Sequence, residues 1–101
     1  EEPGDHADEM ETCLIMHLRP ELVLPLDQAG DGKDKKPRIQ GFREGWAWKE
    51  REWSKVSADT GIGNPKKSTA EKGARFFTDV TQKLGKLMLE LSQIDKEDFY
   101  E

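Results

Sequence analysis

The sequence predicts an α/β fold that cannot close a core by itself. Three observations point there. One long amphipathic helix fills the last third, at residues 68–94. A shorter helical pattern lies near the start, at about 7–18. Between them the chain offers only one or two short strands, too few for the sheet that the long helix should cover. Residues 1–101 are therefore expected to be part of an α/β protein, with most of the sheet encoded upstream or supplied by a partner.

Residues 1–5 read as a loop, with Asp5 as N-cap of the first helix. That helix is expected from about Ala7 to Leu18, because Pro20 stops it and biases Arg19 away from helical geometry. Leu22-Val23-Leu24 reads as a short strand closed by Pro25. Residues 27–38 hold two glycines, a proline and charges of both signs, so they predict a charged, mobile surface loop. Ile39 to Trp53 carries Phe42 and all three tryptophans, and its periodicity leaves strand and loop open. Thr60-Gly61-Ile62-Gly63-Asn64-Pro65 reads as a tight irregular turn. Ser68 and Glu71 form a capping box ahead of the long helix. Its apolar face runs through Phe77, Val80, Leu84, Leu87, Met88, Leu91 and Ile94. Gly73 and Gly85 weaken it by roughly 1 kcal/mol each relative to alanine, and Gly73 would let another backbone approach closely. The acidic tail from Asp95 should fray.

Bulk composition narrows the function. The chain has 101 residues, room for one small domain, and 37% are charged. A net charge of −5 argues against a nucleic-acid or anionic-membrane surface. No apolar run approaches the roughly 20 residues that span a bilayer. The single cysteine, Cys13, cannot form an internal disulfide, so a reducing cytoplasm is the simplest home. No signal peptide is expected, and a start at Glu1-Glu2-Pro3 reads as a piece of something longer.

The chemistry concentrates in Gly4-Asp5-His6-Ala7-Asp8-Glu9-Met10-Glu11-Thr12. Glu11 falls on the stripe formed by Ala7, Leu14, Ile15 and Leu18, where a carboxylate is costly unless a cation or dense hydrogen bonding compensates. On one helix His6 and Glu11 would point about 140° apart. They meet only if His6 precedes the helix, where its imidazole can work as acid or base beside a metal on Glu11. The alternative is that Asp5, Asp8 and Glu9 simply complement the helix dipole, with Glu11 at the edge of the face. Cys13 and His17, one turn apart, are too few for a zinc site and read as packing residues. Trp46, Trp48 and Trp53 offer either a binding surface or packing in a core or subunit interface.

Two blocks and one shorter stretch resemble the creatininase (creatinine amidohydrolase) family. Residues 4–12 resemble its G-x-H-A-G-x-x-E-T-S signature. Thr60–Pro65 followed by Thr69-Ala70-Glu71-Lys72-Gly73 resembles its T-G-V-x-G-[DN]-P and A-T-A-E-K-G block. Leu18-Arg19-Pro20-Glu21-Leu22-Val23 resembles its L-x-P-E-L-V. The resemblance implies the C-terminal segment of a layered α/β metal-dependent amidohydrolase, commonly a homohexamer. Such an enzyme hydrolyses a cyclic or linear amide C–N bond of a small molecule at a two-metal centre. Zinc or manganese is typical, and iron also suits such ligands. The metal pair lowers the pKa of a bridging water and polarises the carbonyl.

By position, Glu11 matches the glutamate at the metal centre and His6 the histidine beside the substrate. Asp8 stands where the family usually has glycine, and there it would alter the substrate pocket. Cys13 replaces the usual serine, and the charged Lys33–Lys36 insert departs from the pattern. The family's E-x-H motif, aspartate and later histidine have no equivalent in the chain, which agrees with the missing sheet. A non-catalytic binding or assembly module built on Trp46, Trp48 and Trp53 is the rival reading.

Overall fold

The computed structural model describes residues 3–101; the first two residues of the expected N-terminal loop lie outside the described residues. The architecture is helix-rich with one small sheet. Strand β1 (Gly4–His6) pairs antiparallel with β2 (Ile62–Gly63), Gly4 opposite Gly63 and His6 opposite Ile62. This two-strand pairing joins the two blocks that carry the family resemblance. The strand expected at Leu22–Leu24 does not form. Pro20–Leu22 makes a 3-10 turn, and a second follows Pro25 at Leu26–Gln28, since the two prolines favour turn geometry and cannot donate to a ladder.

Helix α1 spans Glu9–Leu18 and begins later than the sequence suggested. Its N-cap is Asp8, not Asp5: Asp8 Oδ1 accepts the Glu11 N–H at 3.0 Å. The reason is local. Ala7 adopts a left-handed backbone (φ 49), which breaks the chain direction between β1 and α1. Asp5 instead sits in β1 and pairs with Arg51.

The stretch from Ile39 onward, left open between strand and loop, forms two short helices, α2 (Gln40–Glu44) and α3 (Trp53–Val56). Gly45, at φ 82, ends α2 in the left-handed cap that glycine favours. Helix α4 spans Ala70–Gln93. Its cap is Thr69, which accepts the Lys72 N–H at 3.2 Å, so the expected Ser68–Glu71 box is not the one used. Ser68 turns inward, is buried, and donates to the Glu9 carbonyl at 3.1 Å. The tail closes in a 3-10 turn at Lys96–Asp98, capped by Asp95.

The core lies where α1 crosses the start of α4. A Cβ on Gly73 would fall 1.9 Å from the Cys13 carbonyl oxygen, so only glycine permits the observed approach. Cys13 is buried, and its Sγ accepts the Thr69 N–H at 3.4 Å. His17 packs its ring against Phe77 with centroids 5.5 Å apart. Both residues thus serve the helix contact. The buried carboxylate is Glu9, 2% exposed and ion-paired with Lys72, whereas Glu11 is exposed. The buried side of α1 is set by the Gly73 crossing and not by the Ala7–Leu18 stripe.

The loop of residues 27–38 is fastened to the rest. Gly32 (φ 68) accepts the Gly63 N–H at 2.9 Å, and the Lys35 N–H donates to Val56 O at 2.8 Å. No helix among the described residues is long and apolar enough to cross a membrane.

Candidate active site

His6 stands at the end of β1, before α1 begins, which is the placement a meeting with Glu11 requires. Its Nδ1 lies 2.8 Å from the Thr60 carbonyl oxygen. A carbonyl only accepts, so Nδ1 carries the hydrogen and the neutral ring keeps a lone pair on Nε2. That is the form a proton-transfer group needs. The ring also packs against Trp53, centroids 4.7 Å apart. The Arg51 guanidinium lies 5.3 Å from the Trp53 ring centre and grips Asp5 through two hydrogen bonds. Asp5 in turn raises the Arg51 pKa above its ordinary value, mainly through the hydrogen bond.

Glu11 rises from the first turn of α1, and its carboxylate accepts the Ala7 N–H. That N–H belongs to the peptide bond directly after His6. Asp8 and Glu11 therefore form a reciprocal capping arrangement across the β1–α1 joint. Glu11 also lines a mainly apolar pocket of about 390 Å³ together with Thr12, Ile15, Leu22, Leu24 and Pro65. Asp8 is placed otherwise: it is 5% exposed, caps α1, and fills the space that Gly4 and Gly63 leave open.

The structure thus brings His6 and Glu11 to one joint and assigns Asp8 to the cap. Among the described residues no three His, Cys, Asp or Glu side chains gather as a metal site. These residues alone do not fit a two-metal centre; Glu11 can lend at most one ligand.

The tryptophans separate. Trp53 supports His6, and Trp46 covers Gly41 and donates to Glu44 at 2.8 Å. With Gln40, Trp46 holds the Glu44 carboxyl below its usual range. Trp48 is the most exposed of the three, at 82%. Sequence reasoning did not single out Thr60 or Arg51 as neighbours of His6. The Asp59-Thr60-Gly61 triplet, a turn-forming pattern, was the available signal.

The creatininase family profile, described as creatinine amidohydrolase, matches residues 1–88. The chain belongs to the creatininase family. A crystal structure of a "Putative creatinine amidohydrolase" from Bacteroides fragilis NCTC 9343 is similar at 46% identity, with a TM-score of 0.87. The similarity covers all of this chain and 39% of that one, so the chain spans well under half of its relative's length. No curated protein sequence matches the chain. The family match takes in both strands, α1 and most of α4, and so includes every residue around His6 and Glu11.

Proposed function

We propose that the chain is the C-terminal segment of a layered α/β, metal-dependent amidohydrolase that opens a cyclic or linear amide C–N bond. The supporting observation is the β1–α1 joint of a creatininase-family chain, where Glu11 holds the peptide that follows His6. In the reaction a water oxygen bonds to the amide carbon, the C–N bond breaks, and the nitrogen leaves with a proton. Nε2 of His6 takes a proton from the attacking water and passes it to the departing nitrogen, the ring being held by Thr60 and Trp53. Glu11 would be this chain's one ligand to a zinc, manganese or iron centre that would activate the water, and the remaining ligands would come from polypeptide outside the chain. Asp8 shapes the joint from beneath, and any influence on substrate passes through the cap it makes. The intact enzyme is a cytoplasmic homo-oligomer, a hexamer by family resemblance, acting on a small molecule and on neither nucleic acid nor membrane. The buried free thiol of Cys13 accords with that compartment.

Two variants of the intact enzyme test this. Glu11→Gln should lower bound metal and turnover together; unchanged metal content removes Glu11 from the ligand set. His6→Ala should keep its metal and lose about 10²–10⁴-fold in kcat, the usual worth of a positioned acid. Full activity would end that role.

A second reading draws on Trp46 and Trp48, which are 73% and 82% exposed. Here the segment is an assembly module, and alanine at both positions would change oligomeric state while leaving turnover intact.

A further inference from the structure

We infer that Asp59 is a positioning residue that sets the orientation of His6 through the Thr60 carbonyl. Thr60 is β-branched, yet it adopts φ 69, a region such residues rarely enter unless their surroundings hold them there. What holds it is on either side. Asp59 Oδ1 accepts the Gly61 N–H at 3.0 Å, closing a turn around Thr60. The Ser57 hydroxyl donates to the Gly61 carbonyl at 2.9 Å and lies 3.4 Å from Asp59 Oδ1. The carbonyl so aimed is the one that takes the His6 Nδ1 hydrogen.

A distant part of the chain supports the same turn. A Cβ on Gly30 would fall 2.3 Å from Asp59 Oδ2, so the carboxylate lies where only glycine leaves room. Two residues on, a Cβ on Gly32 would fall 1.9 Å from the Gly63 carbonyl oxygen. The charged loop therefore buttresses the turn from outside while Ser57 braces it from within. Asp59 acts on the turn, through Gly61 and Ser57. It acts by keeping His6 in a single tautomer with Nε2 available.

The turnover part of this inference rests on the proposed role of His6; the tautomer part does not. The test uses the intact enzyme labelled with ¹⁵N-histidine, with His6 signals assigned by their loss in His6→Ala. Asp59→Ala should convert the single Nδ1-protonated form into a mixture. It should also lower kcat by about tenfold or more with KM nearly unchanged, as expected for misplacement of a catalytic group. Asp59→Asn should restore both, because its amide oxygen accepts the same N–H. Gly30→Ala, which displaces the carboxylate without removing it, should reproduce the Asp59→Ala spectrum and serves if that variant fails to fold. A single Nδ1-protonated form retained in Asp59→Ala or in Gly30→Ala would overturn the inference. So would an Asp59→Asn enzyme as impaired as Asp59→Ala. If His6→Ala proves fully active, the acid role falls and the tautomer spectrum still decides for or against Asp59.

Discussion

Glu9 and Glu11 stand two positions apart and face opposite environments. Glu9 is buried against α4, where Lys72 neutralises it and itself donates to the Lys67 carbonyl at 3.0 Å. Removing Lys72 takes a counter-charge from a buried carboxylate, so Lys72→Ala should cost about 3 kcal/mol. Lys72 is one-third exposed, which puts this at the low end, and urea denaturation measures it. A loss within 0.5 kcal/mol would mean that the bridge is a surface pair. The sequence made Glu11 stand out by assuming a helix that starts at Ala7. With the helix starting at Glu9, Ala7 leaves the apolar stripe, and the Gly73 crossing buries Glu9 and Cys13 while Glu11 stays on the open side. What remained legible was the condition on His6, because helix geometry alone forbids the two side chains from converging on one helix. The left-handed Ala7 was not legible, since nothing in its side chain asks for that conformation.

At the level of elements, α4 has two halves with different duties. Its first turns bind α1, and a methyl group at Gly73 must push the Cys13 backbone away. Gly73→Ala should destabilise by about 2–3 kcal/mol, as overpacking does. Gly85 meets nothing within 4 Å, so Gly85→Ala should stabilise by roughly 1 kcal/mol through helix propensity alone. Thermal melts of the two variants should therefore move in opposite directions, and matching shifts would refute this division.

Helix α3 carries its own pH response. Glu52 is held below its usual range, first by the hydrogen bond from Lys55 and then by the charges of Lys55 and Lys49. A lowered folded pKa means the contribution is complete above the unfolded value of 4.5 and is lost as pH falls through the folded value. Acidification below about pH 4.5 should thus weaken the Glu52–Lys55 contact at the start of α3, visible as a small shift of the Trp53 indole NMR signal. Glu52→Gln should abolish that response. The strong periodicity of α4 and the glycine at its crossing could be read from the sequence. The short helices could not, because four or five residues carry too little pattern to separate helix from strand. The tethering of the charged loop was equally hidden, since backbone hydrogen bonds leave no mark on composition.

Taken whole, the molecule is spread out. Its radius of gyration is 18.3 Å, whereas a compact chain of this length would have roughly 13 Å. Cys13 and Ile62 are the only buried apolar residues among those described. Leu84, Leu87, Met88, Leu91 and Ile94 are between 46% and 63% exposed. The chain on its own should therefore bind a hydrophobic dye, and Leu87→Lys with Leu91→Lys should reduce that signal without lowering helix content; an unchanged signal would locate the open surface elsewhere. The shortage of strands foretold this thin core, because a helix with one apolar face needs a cover that the sequence does not encode.

The Ala7 amide is a built-in indicator of this joint. Among the described residues its hydrogen is held by the Glu11 carboxylate, so its exchange with solvent deuterium reports where that carboxylate is. Slow exchange marks the closed joint. Faster exchange on adding a divalent cation would mean that Glu11 has let go of its own backbone to take up a ligand's duty.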